Sequence, residues 1–189
     1  GEDLEPLFAT HQAPEPGLYP IRGTVLFGLA ECERARLCAD YLKAGRLADV
    51  GRMMKISHDG DRVITWTRDG QSKPYHAPTG NNYLLGLMAD LESGEPERVE
   101  RAQLTWQPGS YSCSLPAIDR MVDLAIATEG VAGAQLAGAG LGGCMMVLAK
   151  REAVPGLTER LRSAASEPSG QPPDVLVCRP VAGSGLLVA

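Results

Sequence analysis

Apolar residues recur at helical spacing in several stretches of the chain. Over Leu29–Ala44 the positions Cys32, Ala35, Cys38, Ala39 and Leu42 share one face, and Gly45 suits the helix end. A second short helix is predicted near Arg46–Lys55, with Leu47, Val50 and Met54 aligned. Arg62–Thr67 has strand character between turn signals at Asp69-Gly70 and Pro78-Thr79-Gly80. Leu84, Leu87, Met88 and Leu91 return to helical spacing, with Asn81 or Asn82 as the expected N-cap, and Gly94-Glu95-Pro96 breaks that helix. The stretch from Gly94 to Gly109 is polar, with Trp106 its large aromatic.

The second half is more regular. Ser114 is placed to cap a helix whose stripe is Ile118, Met121, Val122 and Ala125, closed by Gly130. Strands are expected over Gly133–Ala137 and Cys144–Ala149, with a glycine-rich loop between them. Pro155 suits the start of a further helix carrying Leu157, Leu161 and Ala164, and Val175–Cys178 reads as a last short strand. Helices on one face of a mainly antiparallel, ferredoxin-like sheet are the economical α+β solution. The Pro-rich residues 1–20 read as a lead-in or linker, and residues 21–189 as one domain.

Composition narrows the function classes. A net charge of -5 without any Lys/Arg run argues against a nucleic-acid surface, which needs clustered cations. The five cysteines, Cys32, Cys38, Cys113, Cys144 and Cys178, form no C-x-x-C pair, so neither a zinc site nor a disulfide framework is expected. Reduced thiols in a cytoplasmic protein are the simplest reading. No apolar run is long enough to span a membrane, and the N-terminus lacks the pattern of a signal peptide. A chain that opens without Met is expected to be part of a longer product.

The most informative segment runs from Gly133 to Cys144 and holds Gly138, Gly140, Gly142 and Gly143. Glycine is costly in ordered chain unless positive φ or close approach is needed. Several such positions together turn N–H groups toward one point and make an anion nest. A Rossmann loop would lead into a helix and a P-loop would end in Gly-Lys-Ser/Thr; this segment leads into Cys144-Met145-Met146-Val147-Leu148. On local pattern alone a hairpin turn that binds nothing is an equal alternative.

The segment Gly130-Val131-Ala132-Gly133-Ala134, followed by Gly138, Gly140, Gly142, Gly143 and Cys144, resembles the third motif of GHMP kinases, and of galactokinases in particular. Further matches precede it in the order of that family. Tyr111-Ser112-Cys113-Ser114-Leu115-Pro116-Ala117-Ile118-Asp119 resembles its Tyr-x-Val-Ser-x-Pro-Glu-Leu-Asp, with Cys113 for Val and Ile118 for Leu. Gly51-Arg52-Met53-Met54-Lys55-Ile56-Ser57-His58 resembles its Gly-x-Leu-Met-x-Glu-Ser-His, and Glu31 to Arg34 its Glu-x-x-Arg. The departure is a long stretch between His58 and Tyr111, read as an insertion at about residues 60–108 that leaves the substrate open.

The resemblance implies the C-terminal domain of an ATP-dependent sugar kinase, with ATP and Mg²⁺ as co-substrates. It implies as partners a sugar and an N-terminal kinase domain of the same polypeptide, with no nucleic acid and no membrane. The glycine loop Gly138, Gly140, Gly142, Gly143 and Cys144 would lie on the nucleotide and substrate cleft, with Cys144 in a packing role. The family's Ser-rich phosphate loop and its Asp base have no counterpart here, so no catalytic residue is assigned and the chain alone is expected to be inactive. Ser57 and His58 are candidates for orienting substrate or the glycine loop, against the plainer reading of a helix-end histidine. Asp119 and Asp123 look like a carboxylate pair, but Asp119 in a first helical turn is explained by the helix dipole. No metal site is assigned; His11 and His76 read as surface residues, and the pairs Met53-Met54 and Met145-Met146 as core filler. A catalytically silent ligand-sensing relative and a free-standing interaction domain are the alternatives to a kinase half.

Overall fold

The computed structural model describes residues 20–66, 70–138, 143–164 and 172–179. Helix α1 spans Ile21–Lys43 and α2 spans Leu47–Asp61. A hairpin of β1 (Ile64–Trp66) and β2 (Ser72–Pro74) follows, then α3 (Asn81–Glu92), α4 (Pro96–Ala102) and a 3₁₀ turn at Leu104–Trp106. Helix α5 (Pro116–Ile126) leads into β3 (Val131–Leu136) and β4 (Met145–Ala149), and α6 (Val154–Ala164) is the last regular element among the described residues.

The class is α+β and the pairing antiparallel, as expected. Among the described residues the strands make two separate hairpins, β1–β2 and β3–β4, rather than one ferredoxin-like sheet. Pairing sets Ala134 against Val147 and Leu136 against Met145, with an irregularity between Val131 and Gly133. Side chains alternate across a strand, so the β3–β4 hairpin has two working faces. One carries Ala134, Leu136, Met145 and Val147 into a core with Ile118 and Val122 of α5 and Leu157 and Leu161 of α6. The other turns Leu148 toward Val50, Met53 and Trp106. Helices therefore lie on both faces of this hairpin, not on one.

Helix α2 comes unusually close to β3. A Cβ on Gly51 would stand 2.0 Å from the carbonyl oxygen of Ala132, and one on Gly133 would stand 2.4 Å from that of Gly51. Only two glycines permit this crossing. Gly45 at φ +69 ends α1 in a Schellman arrangement: its N–H bonds Leu42 O at 3.1 Å, and Arg46 N–H bonds Tyr41 O at 2.8 Å.

Several boundaries differ from expectation. Helix α1 starts eight residues earlier than predicted, because Gly23 and Gly28 and an outward-facing first stripe hide it. Gly23 is needed where Ser110 backs onto the helix, 2.8 Å from where a Cβ would sit. Gly80, not Asn81 or Asn82, is the N-cap of α3, and Leu115 precedes Pro116 at the start of α5, so Ser114 does not cap. The polar stretch after Gly94 contains α4, too short to display a period. Asp90 fastens it to α3 by accepting from Arg98 and Arg101, both at 2.8 Å. Val175–Cys178 is not a strand.

Candidate functional site

The last turn of α2 carries His58 in the interior of the fold, with no exposed surface. Its Nδ1 accepts the backbone N–H of Leu136 at 3.3 Å, in the last residue of β3. Its Nε2 lies 3.3 Å from Oδ1 of Asp119, a polar contact without the alignment of a full hydrogen bond. Asp119 is equally buried, and its Oδ2 accepts the N–H groups of Val63 at 3.0 Å and Ile64 at 2.9 Å. One imidazole and one carboxylate thus tie together the end of α2, the start of β1, the first turn of α5 and the end of β3.

Burial pushes the Asp119 carboxyl upward. The polar contacts with His58 and Ser114, together with the bonds from the two backbone amides, outweigh it and hold Asp119 below the usual carboxylate range. The adjacent groups go the other way. Burial raises Asp61, and the Cys113 thiol, which donates to Asp61 Oδ1 at 3.2 Å, is pushed up to about 12, first by burial and then by that bond. Asp123 is taken up by Arg62, whose Nη1 and Nη2 reach its two oxygens at 3.0 and 2.6 Å. Asp119 and Asp123 are therefore not an acid–base pair: each is committed to a separate tie.

The segments Gly51–His58 and Tyr111–Asp119 meet here. Tyr111 stacks on Phe27 of α1 with ring centroids 5.4 Å apart. The N–H groups of Tyr111 and Ser112 both reach Gly60 O, and Ser114 N–H reaches Asp61 O at 2.9 Å. Gly109, at φ +65, lets the chain pass Phe27, whose backbone nitrogen would be 2.3 Å from a Cβ. Asp61 and Arg62 escaped the sequence reading. The signal for them was a charged run, Asp59-Gly60-Asp61-Arg62, continuing the helix past its buried residues Val50, Met53 and Ser57.

Beyond Leu136 the hairpin closes through Ala137 N–H to Cys144 O at 2.9 Å. Gly138 (φ +77) and Gly143 (φ +68) have left-handed backbones, and a Cβ on either would meet nothing within 4 Å. These glycines serve backbone direction in an open place rather than close packing. Gly140 and Gly142 lie outside the described residues. Cys144 is exposed rather than packed, and Met146 is half-exposed rather than core filler. Ser57 is buried on α2, His76 is exposed, and His11 lies outside the described residues.

A groove of about 620 Å³ adjoins the hairpin end, lined by Gly143, Cys144, Met121, Leu157 and the segment from Pro172 to Cys178. A larger cleft of about 900 Å³ lies between the start of α1 and the segment from His76 to Leu84, and includes none of the glycine hairpin. The glycine geometry makes the first the candidate site. Among the described residues no group of three or more His, Cys, Asp or Glu side chains is placed to hold a metal ion, and no helix is long and apolar enough to cross a membrane.

The stretch between His58 and Tyr111 is bound into this framework. Trp106 packs on Val50 and Met53, lies under the Arg52 guanidinium at 3.9 Å, and donates to Glu100 at 2.7 Å. The buried Arg34 pairs with Glu31 and donates to the carbonyls of Thr105 at 3.1 Å and Gln107 at 3.0 Å.

Residues 87–167 match the family described as GHMP kinases C terminal. That range takes in the second half of α3, then α4, α5, the glycine hairpin and α6. Over 175 residues the chain is 27% identical to a galactokinase of Roseiflexus sp. (strain RS-1), an alignment covering 93% of this chain and 32% of that protein. The chain thus spans about a third of the length of the curated relative it matches. With the paired motifs, the glycine hairpin and the α+β framework in place, residues 87–167 carry a GHMP kinase C-terminal domain, and the chain around them is similar to a galactokinase.

Proposed function

We propose that this chain is the C-terminal part of an ATP-dependent sugar kinase that transfers the γ-phosphoryl group of ATP to a sugar hydroxyl. The observation that carries the reading is the hairpin end. Two open, left-handed glycines, Gly138 and Gly143, stand at the hairpin end, Gly143 lining the groove, and His58 holds the amide of Leu136 two residues before Gly138. Such backbone suits N–H groups turned toward phosphate oxygens.

Phosphoryl transfer depends on positioning and charge neutralisation. The groove lining includes a single carboxylate, Asp174, and no cluster of acids among the described residues that could hold a metal ion, so Mg²⁺ would arrive on the phosphates of ATP. The base and the remaining phosphate contacts would come from an N-terminal domain of the same polypeptide, closing over the groove and excluding water. The expected setting is the cytoplasm and carbohydrate metabolism, with the thiols reduced.

The test is ADP release by the full-length parent over a panel of free sugars. Sugar-dependent turnover by the parent, and none by residues 1–189 alone, is the expected result. A parent that binds sugar or nucleotide without turnover would replace the kinase reading with a ligand-sensing one.

A further inference from the structure

We propose that His58 is a positioning residue for the glycine hairpin: it sets the place of Gly138 and Gly143 through the Leu136 amide without touching ligand. The inference rests on the kinase reading only for what the hairpin binds. Its structural part stands on the buried contacts alone.

His58 has no surface to offer a substrate. The residue it holds is two positions before Gly138, where β3 gives way to the loop. Leu136 is on the face that enters the α5–α6 core, so its side chain and its amide are fixed independently. An imidazole nitrogen that accepts an N–H carries no proton, which places the ring proton on Nε2, toward Asp119. Asp119 cannot turn away, because its second oxygen is held by the amides of Val63 and Ile64. Second-layer carboxylates fix the tautomer and the ring angle of histidines in this way. The path is continuous: the amides of Val63 and Ile64 hold Asp119, Asp119 orients His58, His58 holds Leu136, and Leu136 precedes the loop.

The two ring nitrogens can be separated by substitution. Asn carries an oxygen near the place of Nδ1 and keeps an acceptor for Leu136. Gln carries its amide near the place of Nε2 and keeps a donor for Asp119. Amide hydrogen exchange on the 189-residue chain reads the result. His58→Gln is expected to speed exchange at Leu136 and Ala137 by about tenfold, the scale of one buried hydrogen bond. Val122 and Ala125 in α5 should be unaffected, and His58→Asn should recover most of the protection. Equal effects of the two variants, or loosening spread through α5, would reduce His58 to a space-filling residue and sink the proposal.

The unsubstituted chain gives a second reading that no folding defect can blur. Nitrogen NMR of His58 should find the proton on Nε2, and a proton on Nδ1 overturns the proposal. In the full-length parent, His58→Gln should raise KM for ATP by about tenfold while kcat moves less than about threefold. A loosened hairpin with unchanged KM would detach His58 from nucleotide binding. A wild-type parent without turnover would remove the kinase reading, while the exchange and tautomer results would still decide whether His58 positions the hairpin.

Discussion

Gly51 and Gly133 meet backbone to backbone: the Gly51 carbonyl oxygen lies 2.4 Å from where a Cβ of Gly133 would be. Helix α2 and strand β3 cross at a separation that no side chain permits, and His58, two turns further along α2, reaches Leu136 because of it. The glycines of the two motifs are thus a matched pair, each needed for the approach of the other.

Gly133→Ala should accordingly be among the most damaging small substitutions in the chain. The obstructing atoms are main chain and cannot swing aside. Overpacking of this kind costs about 1–3 kcal/mol and more where backbone must move, and we expect at least about 3 kcal/mol by urea denaturation. Gly28→Ala, in open surroundings on α1, should be neutral or slightly stabilising. A Gly133→Ala chain as stable as wild type would mean that the crossing is looser than described.

Asp119 makes the fold sensitive to acid. Its carboxyl is held below its ordinary range in the folded chain, so the unfolded chain takes up the proton first. The stability it lends is complete above the unfolded value of about 3.9 and is lost as pH falls through the lower folded value. Asp59 and Asp61 are raised, chiefly by burial, and so their contribution has the opposite sign: it is present at low pH and is lost as pH rises through their folded values. Asp119→Asn should therefore cost about 1–3 kcal/mol near neutrality. Its deficit against wild type should shrink below about pH 4. Denaturation curves between pH 7 and pH 2 check this; a deficit constant across the range would assign the acid response to other groups.

Much of the framework was legible where local pattern suffices. The apolar runs on either side of the glycines gave β3 and β4, the stripe Ile118, Val122, Ala125 gave α5, and Gly45 gave the end of α1. What failed was set by distant partners. Asp119 looked explained by the dipole of its own helix, yet its ligands are amides 55 and 56 residues away. His58 was visible as a candidate, but its acceptor role toward Leu136, 78 residues on, exists only once α2 crosses β3. Val175–Cys178 has the composition of a strand without forming one, because a strand needs an edge to pair with as well as apolar residues.

The thiols should separate by environment. Cys113 is half-buried, donates to Asp61 and has its pKa pushed up to about 12, so almost no thiolate exists near pH 8. Cys32, Cys144 and Cys178 are exposed. Iodoacetamide at pH 8 followed by peptide mass spectrometry should label those three first and leave Cys113 unmodified until the chain unfolds. Early modification of Cys113 would contradict the contact with Asp61.

Arg34 ties α1 to the turn that carries Trp106, and its removal should be read out locally. The guanidinium is buried, pairs with Glu31 through Nε and Nη2, and uses Nη1 for the carbonyls of Thr105 and Gln107. Arg34→Met keeps the length and the apolar stem but leaves both carbonyls without that donor and Glu31 without its cation. Each unmet buried group costs about 1–3 kcal/mol, less for Glu31, which is partly exposed, so a loss of about 2–4 kcal/mol is expected. Arg34→Lys should recover only part of it, since an ammonium cannot reproduce the planar fork. Trp106, between the two carbonyls, should show a red-shifted emission in a Trp66→Phe background as water reaches the turn. A stability loss below about 0.5 kcal/mol with unchanged emission would mean that the segment from Pro96 to Trp106 holds its place without Arg34, and that the packing of Trp106 on Val50 and Met53 alone fixes it.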